Sequence, residues 1–71
     1  MTWVMWEARS APGQQEALLV WAVDHASPQA QVYASEDRVV IIAEETGPAL
    51  PEPPNALLAR PPHAWSFERV R

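Results

Sequence analysis

The longest run of strongly apolar residues is Val39, Val40, Ile41 and Ile42, closed by Arg38 on one side and Glu44 on the other. All four of its members are β-branched. A run of this kind predicts a strand over 38–44 that is covered on both faces. The start of the chain has the same character. Over 2–9, Trp3 and Met5 fall on one face of a strand and Val4 and Trp6 on the other, so both faces are apolar.

Two further segments alternate more weakly. Over 30–34, Val32 shares a face with two alanines while Gln31 and Tyr33 take the other. Over 64–70, Trp65 and Phe67 point one way and Ser66 and Glu68 the other. Both are edge-strand patterns. Ser35, Glu36 and Asp37 form a polar turn, so 30–44 reads as a β-hairpin.

The helical period occurs once at length. Over 14–26, Leu18, Trp21, Ala22 and His25 recur at i, i+3, i+4, i+7, and Leu19, Val23 and Ala26 widen the stripe. Pro12 suits a place at or just before the first turn of this helix, with Ser10 or Ala11 in the capping region. Glu16 suits the helix dipole, and Ser27 with Pro28 stops the helix. Thr46, Gly47 and Pro48 end the hairpin. Six of the eight prolines stand from Pro48 onward, and within that stiff segment 54–59 predicts a helix of one or two turns.

The element order is strand, helix, strand, strand, short helix, strand. This is the split βαβ pattern of an α+β, ferredoxin-like βαββαβ fold with a four-stranded antiparallel sheet in the order 4-1-3-2. Strands one and three are central in that order, and they are the two with apolar residues on both faces. Helices cover one sheet face. The other leaves open either Trp3 and Met5 or Val4 and Trp6, with one of Val39/Ile41 or Val40/Ile42. An open apolar face of roughly 300–600 Å² is unusual for a monomer. Homodimerisation by packing two sheet faces together is the simplest expectation. Trp3, Trp6, Val39, Ile41 and Trp65 are the candidate interface or ligand residues.

Length sharpens this expectation. The 71 residues form a single domain, 1–71, that buries only about 60% of the surface of its unfolded chain. There is no cysteine, so no disulfide adds stability, and a second subunit or bound partner is the usual alternative. The absence of cysteine also fits a reducing compartment, and the chain reads as soluble and cytoplasmic. Its net charge of −4 and five scattered arginines argue against nucleic acid as a partner. The apolar stretch from Trp3 to Trp6 is too short for a signal peptide or a membrane span.

Three features together carry a family resemblance. They are the strand from Trp3 to Ala8, the break at Ala11, Pro12, Gly13 and Gln14 that opens the helix, and the order of the remaining strands, which closes with Trp65, Ser66, Phe67, Glu68, Arg69 and Val70. The chain resembles the dimeric α/β-barrel superfamily, which includes antibiotic-biosynthesis-monooxygenase-like proteins. Its Arg60, Pro61, Pro62, His63, Ala64 and Trp65 segment also looks like the ends of a group of small bacterial proteins. The superfamily resemblance implies dimers packed sheet to sheet, some of them cofactor-independent oxygenases or haem-degrading enzymes with a pocket between sheet and helices. This chain is shorter than the catalytic members and its second helix is stunted. The haem-degrading members use an Asn, a Trp and a His, but Asn55, Trp65 and His63 are not spaced as in that pattern, and the roles are not carried over.

Candidate chemistry is sparse. His63 follows a rigid diproline and has Arg60 nearby, so these two are the weak candidates for catalysis. His25 is a helix C-terminal histidine favoured by the dipole. Two isolated histidines without cysteine make no zinc site, and no cofactor is implied. Glu44, Glu45 and Glu52 read as solvated charge. Large aromatics most often anchor cores and interfaces. The sequence therefore favours a small dimeric structural or binding module, for a protein partner or a small apolar ligand. The alternative is a cofactor-independent oxygenase- or isomerase-like enzyme built around His63, Arg60 and a tryptophan.

Overall fold

The computed structural model describes residues 2–45 and 50–71. The turn expected at Thr46, Gly47 and Pro48 lies outside them. The elements are β1 (Thr2–Arg9), α1 (Gln15–His25), β2 (Gln31–Ala34), β3 (Arg38–Glu44) and β4 (His63–Glu68), with a single 3-10 turn at Asn55–Leu57. The strands form one antiparallel sheet in the order β2-β3-β1-β4. This is the expected order read from the opposite edge. The doubly apolar strands β1 and β3 are central, and the one-sided β2 and β4 are edges.

The register fixes which side of each strand meets the helix. Trp6 pairs with Ile41 and Ala8 with Val39. These four residues, with Leu18 and Ala22 of α1, are the buried hydrophobic core. Leu18 and Val39 are its largest fully buried side chains. Trp21 adds a ring stacked on Trp6, with centroids 5.9 Å apart.

The helix differs from its expected outline in instructive ways. Pro12 stands in the turn just before α1, one of its two expected places. Gln14 N–H donates to the Ala11 carbonyl at 3.0 Å and Gly13 has φ of 76°, which gives a type II turn with Pro and Gly at its two central positions. Gln14 is the N-cap and supplies no side-chain bond. Gln15 fastens the helix start to the hairpin instead, its Nε2 donating to the carbonyls of Ser35 at 2.6 Å and Arg38 at 3.1 Å. Val23, expected on the apolar stripe, is 59% exposed, because it lies roughly 140° around the helix from Leu18. His25 is exposed too.

The second helix is reduced to the Asn55–Leu57 turn. Pro53 is buried, and Leu50, Leu57 and Leu58 pack against the same core as α1. Backbone bonds tie this segment to the end of β1. Ala11 N–H donates to the Leu57 carbonyl and Ala59 N–H to the Arg9 carbonyl, both at 2.9 Å. The proline-rich segment thus does the work of a second helix on the helix side of the sheet. Of its described residues, Leu50, Leu57 and Leu58 lie on that side, while the Arg60 side chain reaches Glu7.

Candidate functional site: the open face of the sheet

Side chains alternate along each strand, so the burial of Trp6, Ala8, Val39 and Ile41 under α1 puts their neighbours on the far face. The register then arranges that face in rows. Phe67, Trp3 and Glu44 lie side by side across β4, β1 and β3. Trp65, Met5, Ile42 and Gln31 form the next row, and His63, Glu7, Val40 and Tyr33 the third. Arg9 and Arg38 close the far end.

Apart from Glu44 and Gln31, the first two rows are apolar, and so is half of the third. Trp65 is 44% exposed, Phe67 49% and Tyr33 55%. These three rings alone keep roughly 300 Å² in water, given the size of aromatic side chains. The whole chain exposes 5141 Å², against about 4,400 Å² for a compact monomer of 7.9 kDa.

Of the five expected interface residues, two lie here. Trp3 and Trp65 are on the open face, whereas Trp6, Val39 and Ile41 are on the opposite side, buried beneath the helix. The pleat makes this an all-or-none choice. Once Trp6 packs on Trp21, Ile41 and Val39 must share its side. Met5, Val40, Ile42, Tyr33 and Phe67 complete the open face. Their alternation with the buried set was the available signal, but nothing in the sequence says which set the helix takes.

The polar end of the face is built around Glu7. Its Oε1 takes Arg60 Nη2 at 3.1 Å and Arg38 Nη1 at 3.6 Å. Glu7 is only 18% exposed, while both arginines remain near 44%. Arg9 pairs with Asp37 at 3.2 Å. His63 stands opposite Glu7 across the strands and stacks on Trp65, centroids 5.7 Å apart. The structure therefore brings the two catalytic candidates, Arg60 and His63, to one end of the face. There Arg60 is engaged by Glu7 and His63 is exposed.

Two shallow depressions lie at the other end. One of about 300 Å³ is lined by Trp3, Ser27, Gln29 and Glu44. The other, about 380 Å³, is lined by Trp3, Gln31, Phe67, Glu68 and Arg69. Neither includes His63 or Arg60. The Trp3 indole N–H is covered and has no partner, and among the described residues the Glu44 carboxylate makes no hydrogen bond or ion pair. Among those residues no three of His, Asp or Glu gather to hold a metal ion, and no helix is long and apolar enough to cross a membrane. No family model, curated protein or solved structure matches this chain.

Proposed function

We propose that this chain is a non-catalytic, cytoplasmic structural or binding module of ferredoxin-like topology, its second helix reduced to a turn, that works as a homodimer closed by two open sheet faces. The supporting observation is the placement of the proline-rich segment. Among the described residues, 50–62 is the longest stretch outside α1 and the strands, yet Leu50, Leu57 and Leu58 pack on the helix side. Burying roughly 300 Å² of aromatic surface on each copy is worth about 7 kcal/mol per copy before the cost of association. The dimeric arrangement is also the one implied by the resemblance to the dimeric α/β-barrel superfamily.

The rival function, an oxygenase- or isomerase-like enzyme using His63 and Arg60, requires a walled cavity beside them. The depressions at the Trp3 end and the engagement of Arg60 by Glu7 weigh against it.

Light scattering on a sizing column over a dilution series tests the proposal. The expected mass is twice the 7.9 kDa of the chain, falling towards one copy on dilution. A single-copy mass at every concentration overturns it. A single copy that takes up an apolar dye at the Trp3 depressions would assign the face to a small ligand instead.

A further inference from the structure

The open face carries its charge unequally along the strands. At one end, Arg38 and Arg60 share the single Oε1 of Glu7, so one carboxylate answers two guanidiniums. Arg9 stands beside Arg38 and pairs with Asp37. At the other end of β3, Glu44 shares a row with Trp3 and is unpartnered among the described residues. Arg69 also lies at that end, but on the β4 side of Trp3, where its Nε donates to the Arg71 carbonyl at 2.9 Å. One strand therefore presents a surplus cation and a free anion about 20 Å apart, at the rise of an extended chain.

Two twofold arrangements can bring these faces together. With the axis along the strands, the Arg9, Arg38 and Arg60 end meets its own copy, and like charges oppose one another. With the axis across the strands, each β3 runs antiparallel over its mate, within the roughly 30° offset of aligned sheets. Residues 38, 40, 42 and 44 of one copy then lie over 44, 42, 40 and 38 of the other. Val40 meets Ile42 at the centre, and Arg38 and Glu44 face each other at both ends. Along β3, only this arrangement sets opposite charges at both ends of an apolar centre.

Resting on the homodimer proposed above, we infer that the twofold axis crosses β3 near Ile41, so that Glu44 of each copy pairs with Arg38 of the other. The pair sets orientation, and the aromatic rows supply the contact area.

The test uses charge reversal in the full chain. Arg38→Glu and Glu44→Arg each place like charges together at both ends, and each should weaken self-association at least tenfold. An equimolar mixture of the two variants makes both contacts complementary again and should form a heterodimer within a few-fold of wild-type affinity. A wild-type dimer whose variants are not restored by mixing overturns the orientation and leaves the dimer standing. A monomeric wild type removes the dimer itself. If a reversal prevents folding, cysteine variants give the same answer, since the chain has no other cysteine. A short bis-maleimide should join Arg38→Cys to Glu44→Cys in a mixture and leave Arg38→Cys alone unjoined. Self-joining of Arg38→Cys would establish the parallel alternative.

Discussion

Trp3 and Trp6 stand three residues apart on one strand and serve opposite faces of the sheet. Trp6 pairs with Ile41 beneath the helix and is 7% exposed, with Trp21 stacked on its ring. Trp3 pairs with Glu44 and Phe67 on the face that no element among the described residues covers. An odd spacing in a strand forces this division. A single strand thus provides the anchor of the core and the anchor of the open face.

The core anchor is the more costly to remove. Trp6→Ala should destabilise the domain by roughly 3–5 kcal/mol, the range for deleting a buried tryptophan. The core holds few large side chains, so little is available to refill the space. Chemical denaturation at fixed protein concentration measures this, and an unchanged midpoint would contradict the burial of the ring.

Much of this architecture was legible because β1 and β3 are apolar on both faces, which singles them out as central strands. Trp65 and Phe67 likewise identified β4 as one-sided. The faces themselves were not legible. Periodicity says that Trp6 and Trp3 oppose each other, but the side α1 takes depends on the hand of the connection through Pro12 and Gly13. Val23 misled for a related reason: α1 is apolar nearly all round, so its buried arc is set by packing rather than by composition. The gathering of Glu7, Arg38 and Arg60 joins residues 7, 38 and 60 through strand pairing and a loop, and no local spacing encodes it.

Gly13 is a position where the backbone itself dictates the residue. Its φ of 76° is in the left-handed region, and a Cβ there would meet nothing within 4 Å. Gly13→Ala should therefore cost about 1–2 kcal/mol from conformation alone. Gly13→Asn should cost less, since Asn tolerates this region. Thermal melts of the two variants give the comparison, and equal melting points for wild type and alanine would rule out the strained turn.

Glu7 holds two guanidiniums, but both are close to half exposed, so the carboxylate is worth little in water. Glu7→Gln should cost about 1 kcal/mol or less at low salt. The difference should fade towards 1 M salt, where the screening length is about 3 Å. Denaturation midpoints at the two ionic strengths test this. A loss that persists in high salt would mean that Glu7 acts through packing or specific hydrogen bonding rather than charge.

Adjacent valines on β3 separate folding from association. Val39 is fully buried and packs with Leu18 and Ala22, whereas Val40 lies in the third row of the open face beside Glu7 and Tyr33. A carboxylate at 39 has no partner under the helix, and its desolvation should unfold the domain. At 40, within the proposed dimer, a carboxylate meets the Ile42 of a second copy. Val40→Glu should therefore keep the far-ultraviolet circular dichroism of the folded chain while halving its mass by light scattering at concentrations where the wild type is dimeric. Because a small chain loses support when its partner leaves, its melting point should also fall and cease to depend on concentration. If Val40→Glu remains as dimeric as wild type, the open face is not the contact surface. If Val39→Glu folds normally, the assignment of faces along β3 is reversed.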